Sequence, residues 1–374
     1  MKKIFVTLIL VVISTCAFSQ DKPKKKSPYQ FTDVYRNFAT ETKNQCKTGT
    51  CWSFATTSFI ESEILRLGHG ERNISEMYNV RMTYPKKAEM YMRYQGKNNF
   101  SAGSLSHDVL ESIDKYGIVP EEAYMGRNDE GEDYNHGEMD KVLKNMMDAV
   151  IENGHASEHW KDAVDAVLDV YLGEIPESFD TGGSGHTPIA FKEAMEIKVE
   201  EYVNLTSFTH HPFYEEFILE VPDNFSQGKF QNVKMKELTE TVKNALKHGF
   251  TVAWDADVSE TGFSFKNGMA IAPKDESLRR GELFKKIEEE MTATQEKRQE
   301  GFDNFDTTDD HLMHIMGLAK DQDDNEYFII KNSWGSDNPY EGKQYVSMPY
   351  FELKTISILL HQDGLKKELL DKLN

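Results

Sequence analysis

The chain predicts an α+β fold, in which a helical half and a mostly antiparallel β half flank a cleft. Helix-period apolar patterns crowd the first part of the sequence, and β-branched and aromatic runs gather in the C-terminal half. Hydrophobic residues make up 39% and aromatics 11% of 374 residues, enough to bury a sizeable core and too many for wholesale disorder. No internal repeat and no long Pro/Gly/Ser linker divides the chain.

Taken in order, Lys2-Lys3, the apolar run Ile4–Ile13 and the small-x-small site Ala17-Phe18-Ser19 read as a signal peptide over residues 1–19. That run is too short for a permanent membrane anchor. Cleavage there leaves Gln20 first and predicts an exported protein, periplasmic or extracellular. Thr15 before Cys16 is a poor fit to a lipidation site. Residues 20–44, with Lys22, Lys24, Lys25 and Lys26, read as a flexible leader. One domain then spans 45–374, with insertions roughly over 125–300.

Apolar residues at Trp52, Ala55, Phe59, Ile60, Ile64 and Leu67 predict a buried helix from Cys51, stopped by Gly68. Further helices are expected over 106–116, 138–172 and 236–248, and a charged surface helix over Glu282–Arg298. Strands are expected at Glu215–Val221, Phe250–Trp254, Ile315–Lys320, Tyr327–Lys331 and Thr355–His361.

The formal charge of −20 argues against nucleic acid and anionic membranes, which both call for basic patches. A cleft sharing that potential would favour cationic substrates such as peptides with a free amino terminus. Loss of Cys16 with the signal leaves Cys46 and Cys51, too few for a disulfide scaffold. A bridge between them would mask Cys51, so Cys46 is expected to be a free thiol.

Cys51 follows Gly49-Thr50 and opens an aromatic, helix-like run, the layout of a cysteine nucleophile at a helix N-terminus. Helix end and protonated imidazole together would lower its pKa. Gln45 can turn its side-chain amide toward the developing oxyanion, beside the Cys51 N–H. His311 is the expected base and proton donor, and Asn332 its acceptor partner, with Trp334 covering their hydrogen bond and counted among the substrate-binding residues. His314 would point to the opposite face of its strand and is read as structural.

These residues (Gln45, Gly49-Thr50-Cys51-Trp52-Ser53-Phe54, His311 to Gly317, and Asn332-Ser333-Trp334-Gly335) resemble the papain-like cysteine peptidases. The long interval from Cys51 to His311 suits the larger relatives. Lys115-Tyr116-Gly117-Ile118-Val119-Pro120, Tyr171-Leu172-Gly173-Glu174-Ile175-Pro176, His211-Pro212-Phe213 and Asp257-Val258 resemble bleomycin hydrolase and aminopeptidase C. The resemblance implies a papain-like fold with helical insertions and a thiol peptidase, commonly an aminopeptidase, working through a Cys51 acyl-enzyme. It implies peptide substrates, no cofactor and a homo-oligomeric, hexameric ring. Gly103 resembles the glycine that binds substrate backbone. In that group the chain's own C-terminus holds the substrate's amino group, whereas the tail here, Gly364 to Asn374, is shorter and more charged. An inactive peptide-binding homologue, and an amidase or acyltransferase with the same triad, stay open.

Other motifs point away from ligands. His210-His211 shows no third metal ligand at a telling spacing, so no metal site is expected. Asp321, Asp323, Asp324 and Glu326 lack the glycine and later glutamate of a calcium loop.

Overall fold

The computed structural model describes residues 27–127, 131 and 133–373. The expected signal peptide lies outside them. Ten α-helices are described: α1 Cys51–Arg66, α2 Glu76–Arg93, α3 Ser106–Tyr116, α4 Gly137–Glu152, α5 His159–Leu172, α6 Pro188–Ala194, α7 Met235–Lys247, α8 Gln295–Asp303, α9 Met348–Lys354 and α10 Lys367–Leu373. The strands are β1 Thr32–Arg36, β2 Phe179–Thr181, β3 Ser184–His186, β4 Tyr202–Thr206, β5 Glu216–Ile218, β6 Lys229–Asn232, β7 Val252–Ala256, β8 Phe263–Ser264, β9 Met269–Ala270, β10 His311–Lys320, β11 Glu326–Lys331, β12 Lys343–Ser347 and β13 Thr355–His361.

The main sheet runs β5-β6-β4-β13-β7-β10-β11-β12-β9-β8 and is mostly antiparallel, the described exceptions being β4–β6 and β9–β12. Strand β10 is its axis. Its first half pairs β7, its second half pairs β1 along the same edge, and β11 lies on the other side. Alternation along β10 sorts its side chains between two cores. Leu312 packs with Trp52, Phe59 and Ile60 of α1, while Met313 and Ile315 pack with Leu238, Val242 and Ala245 of α7. Each such aliphatic side chain contributes about 1.5–3 kcal/mol when fully buried. The sheet thus separates α1 from α7 and fixes α1 across the start of β10.

The structure corrects three expectations. Residues 27–44 are not a flexible leader: Tyr29 is buried and Thr32–Arg36 pairs β10, because β10 outruns β7 and leaves backbone groups that need partners. The single helix expected over 138–172 is two, broken after Asn153 where Gly154 takes φ 71° and closes the first helix onto the Ile151 carbonyl. Only Gln295–Asp303 is helical in the charged stretch, and Arg298 there is buried, giving Nε to the Ser207 carbonyl at 2.7 Å. Helix α2 carries buried Arg81 and Lys87 and an internal Pro85, so its sequence hides the apolar stripe.

Candidate active site

Cys51 is the first residue of α1 and is buried. Its backbone N–H, at the helix start, has no intrahelical acceptor and is free to meet an oxyanion. Two contacts fix the loop before it: Thr48 and Thr50 hydroxyls hydrogen-bond at 2.6 Å, and the Trp52 indole donates to the Ala102 carbonyl at 3.0 Å.

Gln45 is held by Ser333 through both main chain and side chain. Its N–H donates to the Ser333 carbonyl at 2.8 Å, and the Ser333 hydroxyl donates to its Oε1 at 2.6 Å. One amide hydrogen goes to the Thr48 carbonyl at 2.7 Å, so the side chain is wrapped back over the turn that leads into Cys51. A bridge between Asn44 and Trp334 zips the same two loops together.

His311 opens β10, and Asn332 directly follows β11. The imidazole Nε2–H donates to Asn332 Oδ1 at 2.8 Å, and Asn332 in turn donates to Gln344 Oε1 at 2.8 Å. The Trp334 ring stacks on His311, 4.5 Å between centroids and 27° between planes, so water is kept from that hydrogen bond. The next backbone N–H, that of Leu312, lies close enough to the Cys51 sulfur to favour its thiolate, which puts thiol and imidazole at one end of the cleft. His314 faces the other way, its Nδ1 sharing a 2.9 Å hydrogen bond with the Ser58 hydroxyl of α1.

The protonation state differs from the expected acidified sulfur. Burial pushes the Cys51 thiol up to about 12, and Asp223, Asp255 and Asp309 add to the rise. Burial also drives His311 down to about 4, against the pull of Asn332 and Asp310. Both directions favour neutral thiol beside neutral imidazole. Proton transfer between them makes a net-neutral ion pair, so its desolvation cost is partly offset by mutual attraction. Such a pair can attack a carbonyl and then protonate the leaving amine.

Gly103 is packed closely on one side. Its carbonyl accepts from buried Lys87, and a Cβ at Gly103 would lie 1.8 Å from Asp223 Oδ2. The carboxylate therefore fills the space beside it. His210 and His211 do have a third group nearby, since both imidazoles bond to Glu220, at 3.1 and 2.6 Å. Sequence missed Glu220 because a turn and a strand intervene. The three groups converge within 4.8 Å of one another, a third partner that the sequence spacing did not reveal. Cys46 and Cys51 are free thiols.

Residues 98–374 match the Peptidase C1-like family. The chain belongs to that family. Aminopeptidase G of Lactobacillus delbrueckii subsp. lactis is 22% identical over 371 residues, covering 87% of this chain and 82% of its own. Aminopeptidase C of Listeria monocytogenes is 21% identical over 399 residues, covering 95% and 87%. The crystal structure of PepW from Lactobacillus rhamnosis HN001 superposes with a TM-score of 0.73 at 18% identity, over 91% of this chain and 84% of that one. The α+β architecture around the cleft is therefore the papain-like fold.

Proposed function

We propose that the protein is a cysteine aminopeptidase that cleaves peptides through a Cys51 thioester. The observation that carries this reading is the set of contacts that gathers the Gln45–Cys51 stretch, His311 at the start of β10 and the Asn332-Ser333 turn, three segments remote in sequence, onto one end of a cleft. In this reading Cys51 attacks, His311 takes and returns the proton, and Asn332 orients the imidazole. The Gln45 amide and the Cys51 N–H stabilise the oxyanion. The names of the two bacterial relatives favour removal of amino-terminal residues.

Mass spectrometry of products from a blocked and an unblocked peptide tests activity and mode together. Labelling by iodoacetamide, abolished in Cys51→Ala, is expected; an unlabelled, inert protein would leave only a peptide-binding homologue. Cleavage confined to one non-peptide amide would favour an amidase instead. Export through the first 19 residues belongs to the same reading and rests on Lys2-Lys3 and the apolar run after them. Amino-terminal sequencing of secreted material should then begin at Gln20. A ring of six chains is the assembly the resemblance suggests, and sedimentation would measure its mass.

A further inference from the structure

Asn332 orients the imidazole, and strand β12 in turn grips Asn332 at two points. The Gly342 carbonyl, just before that strand, accepts the Asn332 backbone N–H at 3.2 Å, and Gln344 Oε1 accepts from Asn332 Nδ2 at 2.8 Å. At the other end of the carboxamide, Asn332 Oδ1 takes the His311 Nε2–H at 2.8 Å and the Ser333 backbone N–H at 2.7 Å.

Gln344 lies opposite Ile330 in the β11–β12 ladder, and it is 0% exposed. Among the described residues its Nε2 has no acceptor. A buried amide nitrogen without a partner costs free energy, which methionine, a side chain of similar length, does not incur. Methionine there would leave Asn332 Nδ2 short of its acceptor instead, so one unpaired amide would replace another. The fold therefore gains little from a glutamine at this position. What the glutamine does change is the freedom of the Asn332 side chain.

That freedom matters for the chemistry. An asparagine carboxamide turns about a soft torsion, and its two ends have nearly the same shape. With the NH2 end toward the ring, His311 Nε2 could only accept, and the ring proton would sit on Nδ1. No lone pair would then remain for the Cys51 proton. The Ser333 N–H selects the oxygen for the imidazole side. Gln344 holds the opposite end, so the plane of the carboxamide cannot swing away while the ring gains its second proton.

We propose that Gln344 is a positioning residue for the Cys51–His311 pair, fixing the Asn332 carboxamide and, through it, the imidazole tautomer that accepts the thiol proton. This rests on the peptidase reading above and extends its machinery to β12, one strand beyond the residues that meet the reacting atoms.

The test is a double-mutant cycle, Gln344→Met made in the wild type and in Asn332→Ala. Two rates are read on each protein: steady-state cleavage of an unblocked peptide, and alkylation of Cys51 by iodoacetamide at neutral pH. Mass spectrometry follows the alkylation on the tryptic peptide of Cys51, which Lys47 separates from Cys46. Alone, Gln344→Met should lower kcat about 3- to 10-fold, the scale of one net hydrogen bond, with KM unchanged. It should slow alkylation by a similar factor, because both steps need the imidazole to take the thiol proton. In Asn332→Ala the same substitution should change neither rate. Tm should stay at the wild-type value, and Gln344→Glu, which keeps an acceptor, should recover most of kcat. A loss that persists in Asn332→Ala, a loss carried by KM, or an unchanged kcat overturns the proposal. A loss that comes with a fall in Tm and is not recovered by Gln344→Glu makes Gln344 a packing residue and overturns it too. If the wild type cleaves no peptide while alkylation shows the same coupling, the peptidase reading fails and the positioning role stands.

Discussion

Asn332→Ala isolates the imidazole's partner. The 2.8 Å hydrogen bond from His311 is buried on both sides, with His311 4% and Asn332 2% exposed, so no water can replace the lost acceptor. A buried hydrogen bond to a group that becomes charged is worth about 1.5–3 kcal/mol, or roughly 10- to 150-fold. The imidazolium exists only after proton transfer, so the loss should fall on kcat with KM nearly unchanged. Trp334 still stacks on the ring, which keeps its plane and holds the loss below that of His311→Ala. The sign on the pKa is also fixed. Asn332 raises the His311 value, so its removal moves the imidazole further below about 4. Asn332→Asp retains an acceptor and should restore much of the rate. The assay is steady-state hydrolysis of a free-amine fluorogenic amide across pH, with circular dichroism confirming the fold. An unchanged kcat in folded Asn332→Ala, or a loss expressed wholly in KM, would refute this reasoning.

Three other outcomes are expected. Gln45→Ala should lower kcat about 100- to 1,000-fold, as removal of an oxyanion donor does, with substrate binding little altered; a rate within twofold of wild type would exclude the role. Deleting α10 should lower Tm, because Leu369 is buried beside the α7 core and Lys372 pairs Glu237 at 2.5 Å. That helix lies on the sheet face away from α1, so the preference for free over blocked substrates should survive the deletion, and its loss would place the tail in the cleft. Glu290 is pushed up to about 7 from 4.5 by burial, so its neutral form suits the fold. That contribution is present below pH 4.5 and fades as pH climbs through 7; Glu290→Gln should gain roughly 1–2 kcal/mol over wild type at pH 8, and a gap that ignores pH would contradict it.

The sequence carried the reacting residues because each sits in a local pattern. Cys51 follows a glycine turn and opens a helix with clear period, and Asn332 ends an apolar strand. Helix α3 and strand β13 occupy the very spans their periodicity predicts, 106–116 and 355–361. What escaped was whatever depends on contacts remote in sequence. Helix α2 hides its stripe behind Arg81 and Lys87, charges that become buried only when Asp169 and the Gly103 carbonyl come to meet them. Asp223 carries no signal in the sequence, and only the crossing of the β5–β6 segment to Asn99 brings it to that end of the cleft. Asp309 offered a faint signal, two places before His311. Strand β1 was lost for the same reason, since its partner is β10, at the far end of the chain.

The company Cys51 keeps has a chemical cost and a benefit. Peroxide oxidation and mixed-disulfide formation both proceed through the thiolate. Burial and the nearby carboxylates make the Cys51 proton harder to remove than that of a free thiol, so oxidation and alkylation of the empty enzyme should be slow, though not absent.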